Sequence, residues 1–481
     1  MARWYLCHVS QFASDSIIQS AREHGIDASE LARQFDRLRS KPSQSFPEAP
    51  CTPGQGIQRW SEEEFKGWAR KGAQMEPNRV VRFVPASGAA SRMFKALVAR
   101  DPAAIEQLDA RWHEFPFRSI AEAAGPCESA EERWHTIVEK LRFPNQPKGA
   151  LPFHLEEDGV KTAFEAQLIE WAQTLDSKGA TLHFTLPSES FSEHLVAIQS
   201  MAHRLSVPVE ASIQHPSTDT VALDEEGAPF LKADGTLLFR PGGHGSLLHN
   251  LDDIARSHPK ALVSIKNIDN VRPVKALEAI LPWRQALIGM ASGLVDSRNE
   301  ALAALRSGQV GPARNWLRKA SAHPAAAISG DAVELWSMLD RPLLVAGMVQ
   351  NEGESGGGPF WLRDDRGILR AQILESAEMN TKDHAIRDCV GRATHFNPVD
   401  LVCAMHDEAG QPYNLRDFVD ESRDFVVSKS YGGRPLKGLE HPGLWNGAMG
   451  RWNTVFIEVH PATFAPVKTV FDLLRPAHRS S

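Results

Sequence analysis

Four stretches of this chain carry residue types and spacings that could hold a phosphate or the metal ion that accompanies it. The first is Ala86-Ser87-Gly88-Ala89-Ala90-Ser91-Arg92-Met93-Phe94-Lys95, where a run of small residues leads into two cations. Small side chains leave amide N–H groups open to a polyanion, and a helix starting at the end of the run would add its positive end. The stretch reads either as a phosphate cradle with Arg92 and Lys95 supplying charge, or as an ordinary tight strand-to-helix connection. The second stretch is Gly242-Gly243-His244-Gly245-Ser246, whose glycines flank a histidine suited to contact a nucleotide or to make a structural hydrogen bond. The third is Lys266-Asn267-Ile268-Asp269-Asn270, where Asp269 is either a loop cap or a ligand for magnesium, a hard cation that commonly takes one or two carboxylates plus substrate phosphates. The fourth is Phe464-Ala465-Pro466-Val467-Lys468-Thr469-Val470. Lys468 there is either a solvated charge or, between two valines, an inward one that needs an anionic partner.

Spacing excludes two well-known phosphate loops. A Gly-x4-Gly-Lys-Ser/Thr loop needs a second glycine directly before Lys95, and a Gly-x-Gly-x-x-Gly fingerprint needs glycine where Ala90 and Met93 stand. Composition narrows the class further. The chain has 481 residues, 42% of them hydrophobic and 23% charged, as in soluble globular proteins, and its length suits a large core with additions. A net charge of -7 gives no general attraction to nucleic acid or acidic membrane, so any basic function must be local. Cys7, Cys51, Cys127, Cys389 and Cys403 are scattered, with no Cys-x-x-Cys pair, as expected for reduced thiols in a cytoplasmic protein. Met1–His8 lacks the apolar core of a signal peptide and no apolar run reaches transmembrane length, so a cytosolic protein is the expectation.

The elements that must position these stretches alternate. Strand patterns at Val80–Val84, Thr181–Thr185, Val207–Ile213, Thr236–Phe239 and Ala261–Ile265 are separated by helical patterns near His194–Leu205, Leu247–Ala255 and Val274–Met290. This alternation predicts an α/β fold with a mainly parallel sheet, and ligands in such sheets bind beyond the C-terminal ends of the strands. The loops after Val84, Ile213, Phe239 and Ile265 should therefore share one crevice. Residues 1–75 read as a helical extension with Ser61 and Glu64 as a capping pair, residues 76–345 as the nucleotide-binding core, and residues 346–481 as its completion. Within the core, Arg298 to Asp340 reads as a helical insertion. Beyond it, the turn Gly353–Gly358 opens the last region, with strands expected at Leu369–Leu374, Asp424–Ser428 and Thr454–Val459.

The order of these motifs resembles the pyrophosphorylases of the UDP-glucose and UDP-N-acetylhexosamine type. Ser87-Gly88-Ala89-Ala90-Ser91-Arg92-Met93 is similar to their Gly-x-Gly-Thr-Arg-Met signature, Gly243-His244-Gly245 to their Gly-His-Gly, and Asn267-Ile268-Asp269-Asn270 to their Asn-x-Asp-Asn. Gly357-Gly358 with Ile373-Leu374-Glu375, Phe396-Asn397, and Phe464–Lys468 with Asp472-Leu473-Leu474 continue the series. Ala90 replaces the second glycine of the signature, Lys95 stands nearer the arginine than the signature lysine of most relatives, and Asp400 replaces the last asparagine of a motif. The chain as a whole also resembles the bacterial domain-of-unknown-function family 4301.

The resemblance implies a GT-A-like nucleotidyltransferase fold without a C-terminal β-helix, and transfer of a nucleotide from a nucleoside triphosphate, by analogy UTP, to a sugar 1-phosphate. Such a reaction needs in-line positioning and charge neutralisation rather than a protein nucleophile. On this reading Ser87, Gly88, Ala89, Ala90 and Ser91 with Arg92 and Lys95 hold the β- and γ-phosphates, and Asp269 anchors Mg2+. Lys468 meets the α-phosphate or the sugar phosphate. Gln214, Gly243, His244 and Gly245 face the base, while Asn267, Asn270, Gly357, Gly358, Glu375 and Asn397 form the sugar end. Rival readings are a glycosyltransferase of the same fold, a nucleotide or sugar sensor, and an interaction protein. Asp252-Asp253 and Asp364-Asp365 are poor metal pairs for the first, Asp269 and Lys468 argue against the second, and the lack of charge runs and repeats argues against the third.

Overall fold

The computed structural model describes residues 14–40, 45–320, 330–354, 356–364 and 367–479. Cys7, the start of the loop after Lys41, Ser355 of the glycine turn, Asp365 and residues 321–329 of the stretch after Arg298 lie outside the described residues.

A nine-stranded sheet forms the centre. Its strands are β1 (Thr52–Pro53), β2 (Gly56–Gln58), β3 (Val80–Pro85), β4 (Thr181–Leu186), β5 (Val209–Ile213), β6 (Leu262–Ile265), β7 (Leu343–Met348), β8 (Asp400–Ala404) and β9 (Asn453–Glu458). They lie in the order β1-β2-β9-β7-β8-β6-β3-β4-β5. All neighbours run parallel except β8, which is antiparallel to both β7 and β6. Alternation along β3 divides the core: Val80 and Val84 pack on one face with the helices Ala163–Ala172 and Leu277–Arg306, while Val81 and Phe83 pack on the other with the helix Leu247–Ser257.

The mixed α/β architecture with a mainly parallel sheet is the one the alternation predicts. Ser61 and Glu64 form their reciprocal cap: the Ser61 N–H donates to the Glu64 carboxylate at 2.8 Å, and the Glu64 N–H donates to the Ser61 hydroxyl. The chain before residue 75 is not all helical, because β1 and β2 form one edge of the central sheet.

Three elements differ from expectation. The strand expected over Thr236–Phe239 is Phe239–Pro241, and it belongs to a separate antiparallel sheet with Asp219–Leu223, Arg434–Glu440 and Phe425–Tyr431. The preceding Asp234-Gly235 turn folds the chain back locally, so this run is part of a hairpin layer on which the helices Asp15–Glu23 and Ala28–Arg39 pack. β7 and β8 are buried at every position, so they show a continuous apolar run or a mixed one in place of the alternation that marks a half-exposed strand. The helix Leu277–Arg306 runs past Arg298, which is fully buried and donates to the carbonyls of Arg341 and His406, at 3.0 and 2.9 Å.

Candidate functional site

The end of the candidate site expected to take phosphate begins where β3 stops. The Ala86 N–H donates to both the carbonyl and the hydroxyl of Thr185, each at 3.1 Å, which fixes the start of the small-residue run. The Ala90 N–H donates to Gln146 O at 2.9 Å and the Lys148 N–H donates to Gly88 O at 3.2 Å, pairing the run with residues 146–148. Between these ties, the amides of Ser87, Gly88 and Ala89 donate to no described residue, and a Cβ on Gly88 would meet nothing within 4 Å.

The expected helix start is absent. Ala90–Arg92 is a single 3-10 turn and Lys95–Val98 one helical turn, ended by Arg100 in the left-handed region ahead of Asp101-Pro102. Elements this short supply little macrodipole, so positive potential at the loop must come from side chains. Ser91, Arg92 and Lys95 are exposed, and among the described residues neither cation is ion-paired.

Asp269 and Lys468 reach the same loop through backbone ties. The turn after β6 closes with the Asn270 N–H on Asn267 O, and the Gln167 side chain donates to that same carbonyl at 2.9 Å. Asn267 is exposed, whereas Asn270 is buried with its amide already used: its Oδ1 accepts from the Ala465 N–H at 2.8 Å and its Nδ2 donates to Thr463 O at 3.1 Å. The Val467 N–H donates to Asp269 O at 3.2 Å and the Val470 N–H donates to Met93 O at 3.0 Å. Residues 465–470 thus strap the aspartate turn to the arginine loop, and Asn270 holds the strap rather than a ligand.

Lys468 does not point inward. The N–H groups of Lys468 and Thr469 both donate to Asp472 Oδ2, at 2.8 and 2.6 Å, and this turn sends Val467 and Val470 into the core and the lysine out. Its ammonium lies 5.2 Å from the centroid of the Phe396 ring and has no carboxylate partner among the described residues. The cation that does meet Asp269 is Lys148, with Nζ 2.6 Å from Oδ2. Its place in the site was not anticipated, because Pro147-Lys148-Gly149 lies far from Arg92 in sequence and joins it only through the pairing with Gly88. The one signal was a lysine between proline and glycine just before a strand.

The second group of candidate residues is built from interlocked side chains. Gln214 Nε2 approaches Gly243 O at 3.4 Å, so the loop after β5 meets the turn that arrives from the separate sheet. Gly243 has φ +78°, and a Cβ on Gly245 would lie 2.2 Å from Pro442 O, so only glycine lets this turn seat. His244 Nδ1 accepts from the Leu444 N–H at 2.9 Å, its ring stacks on Trp445 with centroids 4.6 Å apart, and burial pushes its pKa down. It is therefore a neutral imidazole carrying its proton on Nε2, a donor with no described partner.

Trp445 Nε1 and Asn397 Nδ2 both donate to Glu375 Oε1, at 3.3 and 3.0 Å, and burial raises the Glu375 pKa. Asn397 Oδ1 is buried without a partner. A Cβ on Gly357 would lie 2.1 Å from Leu374 O and 2.8 Å from Asn397 Oδ1, and one on Gly358 would lie 2.8 Å from His395 O. These two glycines act by letting the hairpin close on Glu375 and Asn397. Trp445 is the second residue that sequence reasoning missed, since nothing in the surrounding Pro442–Gly447 run marks it as more than a packing aromatic.

The family model of the Domain of unknown function DUF4301 matches residues 14–116 and 130–479. The chain belongs to the DUF4301 family. No curated protein matched the sequence. Among solved structures, this DUF4301 chain is similar to the uridine diphosphate N-acetylglucosamine pyrophosphorylase of Trypanosoma brucei, with a TM-score of 0.52 and 12% identity over 96% of this chain and 79% of that one. A UDP-glucose pyrophosphorylase of Leishmania major matches at a TM-score of 0.47 and 12% identity, over 96% and 80% of the two chains. The first likeness places the DUF4301 chain in the pyrophosphorylase-like fold.

Among the described residues no group of three or more His, Cys, Asp or Glu side chains could hold a metal ion. Asp269 alone, with Oδ2 on Lys148 and no described partner on Oδ1, offers one carboxylate oxygen. That donor set suits a magnesium ion whose remaining ligands are substrate phosphates and water, not a resident metal centre.

Proposed function

We propose that this DUF4301 protein is a sugar-1-phosphate nucleotidyltransferase, joining a nucleoside triphosphate, UTP on the family resemblance, to a sugar 1-phosphate with release of pyrophosphate. The observation that carries the reading is the convergence of the open amides of Ser87 to Ala89 with Arg92, Lys148, Asp269 and Lys468, held together by the ties from Lys148 to Gly88, Val467 to Asp269 and Val470 to Met93. A polyanion is the ligand that three cations and three unused amides suit. Free loop amides with Arg92 and Lys148 hold the β- and γ-phosphates and stabilise the leaving pyrophosphate. Lys468, exposed and without a carboxylate partner among the described residues, neutralises charge on the α-phosphate as the sugar phosphate oxygen attacks in line. Magnesium bound at Asp269 would supply further charge neutralisation between the reactants.

The neutral His244, with Gln214 and the glycine turn, faces the base, and Glu375 with Asn397 faces the sugar hydroxyls. A glycosyltransferase metal site finds no support at the alternative acidic pairs: Asp252 sits on a helix and is bound to Arg256, and Asp364 is bound to Arg370. The test is pyrophosphate release with magnesium, crossing the four common nucleoside triphosphates with a panel of sugar 1-phosphates. Release that requires both substrates supports the reading. Binding of a nucleotide or nucleotide sugar with no release from any pair replaces it with a sensor or glycosyltransferase.

A further inference from the structure

The fold buries five ionisable side chains together beneath the phosphate end, and the proposed reaction uses none of them. Arg82 of β3, Glu170 of the helix Ala163–Ala172, Lys266 at the end of β6, Arg284 of the long helix and Asp400 of β8 are each at most 3% exposed. Glu170 is the hub. Arg82 Nη1 lies 3.0 Å from its Oε1 and Lys266 Nζ 2.5 Å from its Oε2, with Arg284 on that second oxygen as well. Arg284 Nε also approaches Asp400 Oδ2 at 3.4 Å. Three cations therefore face two carboxylates. Donors outnumber acceptors too: Arg82 Nε and Nη2 and Arg284 Nη2 have no hydrogen-bond partner among the described residues, against one such acceptor, Asp400 Oδ1. Burial and the neighbouring Arg284 push the Lys266 ammonium down to about 7, whereas the three cations outweigh burial at Glu170 and hold it at about 2. A buried excess charge is costly unless something compensates it.

The positions of the members indicate what that is. Lys266 directly precedes the Asn267–Asn270 turn, Arg82 lies on the strand that runs into the 86–92 loop, and Asp400 opens the strand after Asn397. Gln167, one turn before Glu170, holds the carbonyl of Asn267. The cluster is thus fastened to the three loops that meet at the site, and at about 3.3 Å per residue the chain from Lys266 to Asp269 spans only about 10 Å. A charge at that range inside a protein still acts on a polyanion.

We propose that the net positive charge of this cluster, carried by Lys266, is compensated by phosphate bound above it and strengthens binding in proportion to the charge of the ligand. Lys266 is then a positioning residue that never touches substrate. The inference rests on the reading of the 86–92 loop as a phosphate site. Calorimetric titration of the full chain with tripolyphosphate and with orthophosphate, at pH 6.5 and low ionic strength, tests it. Lys266→Met leaves two cations against two carboxylates, so it should bind tripolyphosphate about tenfold more weakly and orthophosphate at most about threefold more weakly. Lys266→Arg should stay within about twofold of wild type for both. Should Lys266→Met fail to fold, Arg82→Met removes the same charge from the other side of Glu170 and must give the same pattern. Unchanged tripolyphosphate binding in the Met variant, or equal losses for the two ions, overturns the inference alone. A wild-type protein that binds no tripolyphosphate overturns the phosphate-site reading and this inference with it.

Discussion

The two ends of the candidate site are held in opposite ways. At the phosphate end the chain is cross-linked through its backbone, by Lys148 to Gly88, Val467 to Asp269 and Val470 to Met93, and the cations Arg92 and Lys468 have no carboxylate partner among the described residues. At the other end the side chains themselves interlock, His244 on Trp445, Trp445 on Glu375 and Asn397 on Glu375. The difference separates two kinds of consequence. Removing a free cation leaves the fold intact and removes charge stabilisation, whereas removing an interlocked side chain loosens the platform that would orient a ligand.

The largest expected effect follows from that contrast. Lys468→Ala should lower turnover about a hundredfold to a thousandfold, the usual cost of losing one electrostatic donor at a reacting phosphate, with the thermal midpoint unchanged. Lys148→Ala should lower turnover comparably and weaken triphosphate binding, because Lys148 pairs with Asp269. A drop in midpoint that accompanies the loss in Lys468→Ala would break the distinction between the two ends; at Lys148, whose removal strips Asp269 of its ion pair, a small drop is expected.

Acid should dismantle the phosphate end. His154 Nε2 and His478 Nδ1 lie 3.1 Å apart, both buried, behind the strap that carries Lys468. Burial, then the neighbouring His478 and Arg272, lower His154 to about 3; burial and Arg272 lower His478 to about 4. Folded pKa values below the ordinary 6.5 mean that the unfolded chain binds more protons, so the stability this pair contributes is complete above pH 6.5, falls progressively as pH drops from 6.5 to between 4 and 3, and is gone below that. At about 1.4 kcal/mol for each unit of pH per group, the loss reaches several kcal/mol. Denaturant titrations across that range should show it, and replacing both histidines with glutamine should flatten the dependence.

Trp445→Ala sharpens the comparison from the other side. It should cost on the order of 2 kcal/mol of stability and raise KM for the sugar substrate more than it lowers kcat, since Glu375 and His244 both lose a support. The smallest effect is expected at Lys95, exposed and without polar contact to the other site residues. Lys95→Ala should change activity by less than about threefold in the same assay, against the large loss at Lys148.

Much of this was legible in the sequence because it is local. The small-residue loop after Val84, the glycine turn around His244 and the aspartate turn after Ile265 each declare themselves within a few residues, and the alternation of elements predicts the mainly parallel sheet. What was not legible depends on partners distant in the chain. Lys148 enters the site only because residues 146–148 pair with the loop, and Trp445 only because a turn from one layer delivers it to Glu375 of another. The valines flanking Lys468 leave an inward reading open beside the solvated one, and the Asp472 cap decides for the second by rotating the turn and leaving the lysine outside. The inward lysine is Lys266, which finds its carboxylate on a helix far away in sequence.

The most direct test of the central claim compares wild type with Lys468→Ala in isotope exchange between labelled pyrophosphate and the triphosphate, with a nucleotide sugar present and triphosphate binding measured in parallel. The account predicts exchange by the wild type, loss of exchange by about a hundredfold or more in the variant, and triphosphate binding retained in both. Exchange at the wild-type rate in Lys468→Ala would contradict it, because the reaction would then proceed without the one unpaired cation that the strap presents to the crevice.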